Sequence, residues 1–370
     1  MRSSSALVAL VVVASVALAT TAHADSPPAQ PAQGFAVDRL YLSAPGGGWL
    51  TMDALDMRGG LGGAASFTLD YAHAPFHVGS TVPGSSRIDV VKNQASANFG
   101  FAVSYEWARL YLDLRMPLVG LGACANTCTV DGHAFTSPPV DLAQNPDTLS
   151  DARIGFDARL VGEARGAFRL GAGVQLIVPS ANRSDYLTDG TYRAMGRALF
   201  AGDVGSFTYA GHVGVHVRPL DEPETPGSPR GSELLFGAGV GWKTLLGADA
   251  GAALVVGPEV IGASPFKALF GGATTAIEGM LVGRVEGTGD DGAQLRFKTA
   301  IGAGLEQQFG APEFRFVLAI EVFDHHVDTD GDGVSDAQDA CPHVAGEKTR
   351  DAKTNGCPPL TDLPPSPPPP

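Results

Sequence analysis

After its first 24 residues, the 370-residue chain has no uninterrupted apolar run of the length that a membrane-spanning helix needs, about 20 residues. It is also poor in basic side chains, with 25 Lys and Arg against 39 Asp and Glu, which leaves a formal net charge of −14. Such an acidic chain is poorly suited to bind nucleic acid. Hydrophobic residues nevertheless make up 44% of the sequence, beside 48 glycines. High apolar content without long apolar runs predicts a protein built of many β-strands.

The first 24 residues are the exception and have the features of an export signal. Arg2 supplies a positive start, residues 6–19 form an apolar run, and residues 22–24 match a small-x-small cleavage site. We expect cleavage after Ala24, with residues 25–48 forming an N-terminal linker. The alternative is that the run is retained as an uncleaved anchor.

Cysteine is scarce, and its four residues fall into two close sets, Cys124 with Cys128 and Cys341 with Cys357. An exported chain meets an oxidising compartment, so we expect one local disulfide in each set. The alternative, thiolate ligands for a metal, is disfavoured because neither set has the paired CxxC spacing of a zinc site.

Between about residues 49 and 323, apolar and polar side chains alternate over segments of roughly ten residues, which is the pattern of a strand with one apolar face. One such segment spans residues 153–161, in which Ile154, Phe156, Ala158 and Leu160 alternate with Arg153, Asp157 and Arg159. The same alternation recurs in residues 109–118, 168–176, 294–305 and 314–322.

Alternation suits either a soluble β-sandwich or a membrane barrel, and three features favour the barrel. The strands exceed the roughly five or six residues usual in globular proteins and match the roughly nine to eleven of a tilted membrane strand. Short connections such as 163–166 and 202–205 alternate with long ones such as 119–151 and 219–231. Aromatic residues lie near predicted strand ends, where interfacial girdles form: Trp107, Tyr111, Phe168, Phe207, Tyr209 and Trp242.

The sequence therefore predicts an all-β fold, a transmembrane antiparallel β-barrel of about 12–14 strands over residues 49–323. Both ends of this barrel are expected on the periplasmic side of a Gram-negative outer membrane. Its apolar faces would contact lipid, while its polar faces would line a wet lumen. Six charged residues are expected in that lumen, where they would set its polarity and selectivity: Arg153, Asp157, Arg159, Arg169, Arg296 and Glu321.

Five aspartates crowd the stretch from Asp328 to Asp339. Numbered from the first of them, they occupy positions one, three, five, nine and twelve of an EF-hand loop, with Gly333 at the sixth position, where that loop turns sharply. Crowded oxygen ligands of this kind predict a bound Ca²⁺ ion, with these ligands: Asp328, Asp330, Asp332, Asp336, Asp339 and the carbonyl group of Val334. The alternative is a solvated acidic linker without an ion.

The same stretch, DTDGDGVSDAQDACP followed by NGCP, resembles a thrombospondin type 3 repeat, a Ca²⁺-wrapped segment with little core of its own. The resemblance implies the same calcium positions and a Cys341–Cys357 bridge. With the export signal and the barrel pattern, residues 324–358 also resemble the linker of outer-membrane porins of the OmpA family. In that family the linker leads to a peptidoglycan-binding domain, whereas here residues 359–370 form a proline-rich tail.

No catalytic constellation stands out, and we expect that the protein is not an enzyme. His212 and His216 have the i, i+4 spacing of a helical zinc pair. On a strand, however, four residues of rise separate them by roughly 13 Å, which is too far to chelate one ion. We therefore expect both histidines to face the lumen.

Two functions from different classes follow from these patterns. The first is a porin-like or structural outer-membrane barrel that contacts lipid, passes small solutes and carries a calcium-binding linker on its periplasmic side. The second is a secreted or surface β-sandwich adhesin, with a role in cell adhesion through a calcium-binding repeat. A cell-envelope or surface protein is the expected partner in either case.

Overall fold

The computed structural model describes residues 34–57, 60–79, 87–122, 126–130, 132–137, 149–220, 231–247, 251–287, 292–308, 310–325, 329–336 and 338–359. Fourteen strands lie within these residues: β1 (Leu61–Gly79), β2 (Arg87–Tyr105), β3 (Ala108–Leu121), β4 (Asn126–Val130), β5 (His133–Ser137), β6 (Ala152–Val161), β7 (Arg169–Val178), β8 (Arg193–Val204), β9 (Phe207–Val217), β10 (Glu233–Leu246), β11 (Ala252–Pro265), β12 (Ala276–Gly287), β13 (Gly292–Glu306) and β14 (Phe314–His325). Short 3₁₀ turns occupy Arg183–Asp185 and Phe266–Ala268. No helix in the described ranges is long and apolar enough to span a membrane.

Twelve of the strands form one closed antiparallel barrel, and β4 and β5 form a separate hairpin. Each barrel strand pairs with its neighbour in the sequence, and β1 closes the barrel against β14, with Ala64 opposite Phe323 and His73 opposite Phe314. The predicted all-β barrel is confirmed, with the lower of the two expected strand numbers. A single sheet that closes on itself is not the two-sheet sandwich that the adhesin hypothesis requires.

The barrel begins at Leu61 and ends at His325, so the boundaries predicted at residues 49 and 323 differ from those observed. Residues 49–55, which the predicted barrel includes, add no strand to the barrel wall. Gly46, Gly48 and Leu55 have φ angles of 79°, 93° and 54°, and this left-handed backbone interrupts the extended conformation that a strand needs. The signal of residues 1–24 and the first part of the 25–48 linker lie outside the described residues.

The connections divide the barrel into two rims. We call the rim with the connections 106–107, 162–168 and 205–206 the short-turn rim, and the opposite one the long-connection rim. The long-connection rim carries residues 122–151, 179–192, 218–232 and 266–275. Since β1 starts and β14 ends at the short-turn rim, both ends of the barrel wall lie on the same side, as an even strand number requires.

The outward faces of the barrel strands are apolar. Leu110, Phe101 and Ile301 are each more than half exposed, at 57%, 53% and 51% of their surface, and most other large exposed apolar residues lie on the same outer wall. So continuous an apolar surface is unfavourable in water and suits lipid. Phe207 and Trp242 pack together at the short-turn rim, with ring centroids 4.6 Å apart, where a girdle is expected.

One girdle prediction is wrong, because Tyr111 points into the barrel and only 2% of its surface is exposed. Its hydroxyl group accepts a hydrogen bond from Gln175 Nε2 at 2.6 Å. Tyr111 follows the inward positions of Arg109 and Asp113 on β3, so strand alternation decides its side, whatever its aromatic character.

Candidate functional site

The barrel lumen is occupied by residues 34–57 of the same chain, which we call the lumenal segment. Its apolar side chains are almost completely buried, among them Phe35, Val37, Leu40, Leu42, Trp49, Leu50, Met52, Leu55 and Met57. Leu40, Trp49 and Met52 pack against wall residues in the main apolar cluster inside the barrel. A lumen that is expected from the sequence to hold water therefore contains a small hydrophobic core.

The start of the lumenal segment is held at the long-connection rim. The Ala36 amide donates a hydrogen bond to Asp189 Oδ1 at 2.9 Å, and the Val37 amide donates one to the Tyr186 carbonyl group at 3.1 Å. Phe35 packs edge-on against Phe76 and Tyr186, with ring centroids 5.4 and 5.8 Å away. Asp189 and Tyr186 belong to the long connection between β7 and β8, so this end of the segment lies at the long-connection rim.

Asp189 itself is ion-paired at this rim. Arg218 contacts it through two nitrogen atoms, each 2.7 Å from a carboxylate oxygen. Burial disfavours the charged carboxylate, but the adjacent Arg218 outweighs it, so the pKa of Asp189 lies well below its ordinary value. Asp189 therefore remains an anion that can accept the Ala36 amide at any pH near neutrality.

Asp38 belongs to an ion-pair network inside the barrel. Its carboxylate lies 2.6 Å from Arg115 and 2.8 Å from Arg315. Arg315 also contacts Asp70 and Glu278, each at 2.7 Å. The two guanidinium groups thus compensate the negative charge of this buried carboxylate.

The middle of the lumenal segment folds back on itself. The Ser43 amide donates to the Leu50 carbonyl group at 2.9 Å, and the Ala54 amide donates to the Gly47 carbonyl group at 2.7 Å. Gly48 has a φ angle of 93°, and a residue with a side chain would be strained in this backbone conformation. These two hydrogen bonds fold the middle of the lumenal segment into a compact turn.

The turn is fastened to the wall by Glu259 of β11. Its carboxylate accepts hydrogen bonds from the amides of Leu50 and Thr51, both at 2.9 Å, and from the Thr51 hydroxyl group at 2.6 Å. On another side, Lys298 Nζ donates to the Trp49 carbonyl group at 2.8 Å, and Arg284 lies over the Trp49 ring, 4.8 Å from its centroid. Charged wall residues thus satisfy the polar backbone groups of a turn that has few partners of its own.

The end of the lumenal segment is held at the short-turn rim. Asp53 forms an ion pair with Arg109 at 2.5 Å. Arg169 donates to the Ala54 carbonyl group at 2.7 Å, and Arg159 donates to the Met57 carbonyl group, also at 2.7 Å. The segment therefore runs through the whole lumen, from the long-connection rim to the short-turn rim.

All six predicted lumen residues point into the barrel, but they pair with protein groups. Arg153 contacts Asp113 and donates to the Leu42 carbonyl group at 2.7 Å. The other wall pairs join Asp157 to Arg197 at 3.2 Å, Arg296 to Glu286 at 2.8 Å, and Glu321 to Arg296 at 2.9 Å and to Lys298 at 2.6 Å. Arg159 and Arg169 bind backbone carbonyl groups of the lumenal segment, as described above.

Little space is left beside the lumenal segment. Two cavities that border it have volumes of about 30 and 60 Å³. Each has room for a few water molecules, and neither has room for a solute. The described part of the lumen therefore holds packed side chains where the alternation pattern predicts a wet interior.

The two histidines of β9 do not form a metal site with each other. His216 is completely buried, with Nδ1 3.4 Å from Glu233 Oε2 and its ring edge-on to Tyr41 at 5.6 Å. His212 borders the smaller cavity. The described residues contain one group of three or more candidate metal ligands, and it lies in the segment that follows the barrel.

That place is formed by Asp330, Asp332 and Asp339, each of which offers a carboxylate oxygen within 4.8 Å of the others. Gly331 and Gly333 have φ angles of 78° and 88°, which allow the chain to turn between the aspartates. Oδ2 of Asp339 is buried and has no hydrogen-bond partner in the described residues. A group of crowded hard oxygen atoms with such an unsatisfied member fits Ca²⁺.

Of the other predicted ligands, Asp336 lies outside this group. The carboxylate of Asp336 accepts hydrogen bonds from the Thr329 amide at 2.8 Å and the Thr329 hydroxyl group at 2.5 Å. Val334 is buried and its amide donates to Asp332 Oδ1 at 2.8 Å. Asp328 lies outside the described residues, so its role stays a prediction, as does that of Asp336.

A disulfide joins Cys341 to Cys357 and brings the end of the segment back to the aspartates. Gly356 then approaches Asp339 so closely that a side-chain carbon at that position would lie 2.1 Å from Asp339 Oδ1. The bridge implied by the resemblance is therefore present. The other predicted pair, Cys124 with Cys128, cannot be assessed, because Cys124 lies outside the described residues.

Sequence reasoning missed the lumenal segment and the wall residues that hold it, including Arg109, Glu259 and Arg315. One signal pointed to them. The inward faces of the strands carry buried charges of both signs, and buried charges need partners. The linker assigned to residues 25–48 contains Asp38 and Arg39 among apolar residues, which is an unusual composition for a solvated linker.

No protein-family model matches the sequence, and no curated protein matches it. Among solved structures, the chain is similar to an outer-membrane channel from Pseudomonas putida F1, with 12% identity and a TM-score of 0.44 over 72% of this chain and 95% of that one. It is also similar to the translocator domain of the autotransporter NalP from Neisseria meningitidis, with 12% identity and a TM-score of 0.37 over 74% of this chain and 91% of that one. The CymD monoaromatic hydrocarbon channel shows 9% identity and a TM-score of 0.36 over 74% of this chain and 90% of that one. At such low identity and TM-score these likenesses do not identify a function, and the family of the chain stays open.

Proposed function

We propose that this chain is an outer-membrane β-barrel that is closed by its own lumenal segment and anchors a calcium-binding segment at the membrane. The observation that carries the proposal is the lumenal segment itself, which is ion-paired or hydrogen-bonded to the wall at both rims and in the middle. The apolar outer wall supports the membrane location. Structural anchoring is favoured over solute passage because the described lumen is packed.

The orientation follows the habit of outer-membrane barrels, in which short turns face the periplasm and long connections face outward. With this orientation β14 ends on the periplasmic side, and the segment 329–359 that follows it lies in the periplasm. The likeness of this segment to the linker of OmpA-family porins supports the same arrangement. Its partner would be another component of the cell envelope.

In the periplasmic segment, Asp330, Asp332 and Asp339 would hold Ca²⁺, with Asp328, Asp336 and the Val334 carbonyl group as the further ligands that the likeness to a thrombospondin type 3 repeat implies. The ion would neutralise the crowded carboxylates. The backbone bonds to Asp332 from Val334 and Gly346, at 2.8 and 2.9 Å, hold that carboxylate in place. A segment with little apolar core would thereby be stiffened.

Conductance of the purified full-length chain in planar lipid bilayers tests the closed barrel. We expect no steady ion current through the wild-type protein, because the described lumen holds cavities for only a few waters. The protein should still require detergent for solubility and migrate differently on gels before and after heating. Steady, well-defined current steps from the folded wild-type barrel would contradict the proposal and favour a porin.

Calorimetric titration of Ca²⁺ into the full-length chain tests the cation site. We expect saturable binding that Asp332→Ala weakens on the order of tenfold or more, because one of three converging carboxylates is lost. Glu347→Gln is the matched control, since it removes one negative charge from an exposed position of the same segment. Equal weakening by both variants would show that only the overall charge matters.

A further inference from the structure

The two ends of the lumenal segment lie at opposite rims of the barrel. Gly34 accepts a hydrogen bond from Arg183 Nε at 2.7 Å, and Arg183 lies in the long connection between β7 and β8. Met57 accepts one from Arg159 close to the connection 162–168 of the short-turn rim. The described chain therefore begins at the long-connection rim, with Gly34, and reaches the short-turn rim at Met57.

The length of the segment agrees with a complete crossing of the membrane. An extended chain gains up to about 3.3–3.6 Å per residue, so 24 residues can span up to about 80 Å. The hydrocarbon core of a bilayer is only about 30 Å thick. The compact turn between Ser43 and Ala54 takes up the remaining chain length, so the segment just reaches from one rim to the other.

The other terminus leaves on the opposite side. β14 ends at His325, opposite Gly292 and next to the short connection between β12 and β13. The barrel wall alone has both its ends at the short-turn rim, but the lumenal segment carries the N-terminal end of the chain back through the barrel. In the proposed arrangement, the described chain crosses the membrane thirteen times, twelve times as a strand of the barrel wall and once as the lumenal segment.

We infer that the protein displays its N-terminal residues at the cell surface, while its calcium-binding segment and C-terminal tail face the periplasm. This rests on the proposed membrane orientation. The residues that follow Ala24, DSPPAQPAQ, carry one charge in nine residues and three prolines. Their sequence suits an extended, solvated segment.

The charges along the lumenal segment explain why it would stay in place. The segment contains Asp38, Asp53 and Asp56 against Arg39, and the first two aspartates are paired with wall arginines near the middle and at the short-turn rim. Arg39 in turn pairs with Glu233 of β10 at 2.8 Å. A segment shifted along the lumen would lose these pairs together, so the register that places Gly34 at the long-connection rim is strongly preferred.

Cysteine labelling on whole cells tests this topology. Ser26→Cys, Ser228→Cys and Ser366→Cys are introduced one at a time and treated with a maleimide coupled to a polyethylene glycol chain too large to cross the outer membrane. Ser228 lies within the 218–232 connection and is the positive control, and the wild-type chain gives the background. We expect Ser26→Cys to be labelled on intact cells to about the same extent as Ser228→Cys, and Ser366→Cys only after the outer membrane is permeabilised.

Three results would overturn the inference. The first is labelling of Ser26→Cys only after permeabilisation while Ser228→Cys reacts on intact cells. The second is labelling of both Ser26→Cys and Ser366→Cys on intact cells, which would place both termini on one face. The third is labelling of Ser366→Cys alone on intact cells, which would reverse the orientation. A barrel that conducts in bilayers but shows the expected labelling would contradict the closed lumen and leave the threaded topology standing.

Discussion

Deletion of residues 34–57 is expected to turn a non-conducting barrel into a conducting one. The lumenal segment supplies the apolar core inside the barrel, and without it the charged wall residues would be hydrated by water that fills the lumen. Single-channel recording in planar bilayers measures the change. A matched deletion of residues 360–370, which belong to the proline-rich tail, should leave the current at the wild-type level.

The deleted barrel should also prefer anions. The segment carries three aspartates and one arginine, a net charge of −2, and its removal leaves Arg109, Arg115 and Arg315 without the carboxylates of Asp53 and Asp38. The reversal potential in a salt gradient reports this preference. A folded deletion variant that stays closed, or one that prefers cations, would argue against the lumenal segment as the closing element.

The deletion could prevent folding, and a milder variant addresses that outcome. Asp38→Asn with Asp53→Asn keeps the segment but removes three of its ion pairs with the wall. We expect brief current bursts, because a segment held by fewer charges leaves its place more often. A double variant that remains as silent as the wild type, in a barrel that still shows heat-modifiable migration, would mean that the ion pairs do not retain the segment.

Replacement of Arg315 by Met is expected to be the most destabilising single substitution in the lumen. Arg315 is completely buried and contacts three carboxylates, those of Asp38, Asp70 and Glu278. Removal of one partner from a buried ion pair typically costs about 3–5 kcal/mol, because the remaining charges are buried without compensation. The midpoint of urea unfolding in detergent micelles, followed by tryptophan fluorescence, measures the loss.

Arg87→Met is the matched control for Arg315→Met. Arg87 also contacts two carboxylates, those of Asp89 and Glu313, but it is partly exposed at the long-connection end of β2. Exposed pairs of this kind contribute about 0–1 kcal/mol. A loss of similar size in the two variants would show that the Arg315 network does not hold the barrel and the lumenal segment together.

Much of the barrel could be predicted from the sequence because its signals are local. Strand 153–161 is recognised from side chains two residues apart, and the observed β6 spans Ala152–Val161. The same alternation correctly placed Arg153, Asp157 and Arg159 on the inward face. The alternation also puts Tyr111 on the inward face, and the girdle prediction is wrong there because it rests on the general preference of aromatic residues for interfaces.

The C-terminal segment was predicted in part for a related reason. The spacing of its aspartates is a local pattern, and the structure brings Asp330, Asp332 and Asp339 together as that pattern suggests. The Asp336 carboxylate binds Thr329 in the structure, and its role as a ligand stays a prediction.

By itself, the sequence determined which faces of the strands are apolar, how long the strands are, and at which rim the connections are long. Each of these depends on neighbours within a few residues, and period-two alternation records them directly. The tertiary structure alone decided what fills the lumen. The lumenal segment has no period, and its partners lie as far as 277 residues away in the chain, as with Asp38 and Arg315. Such contacts exist only once the barrel has closed around the segment, because closure brings wall charges from β1 to β14 to face one short stretch of chain.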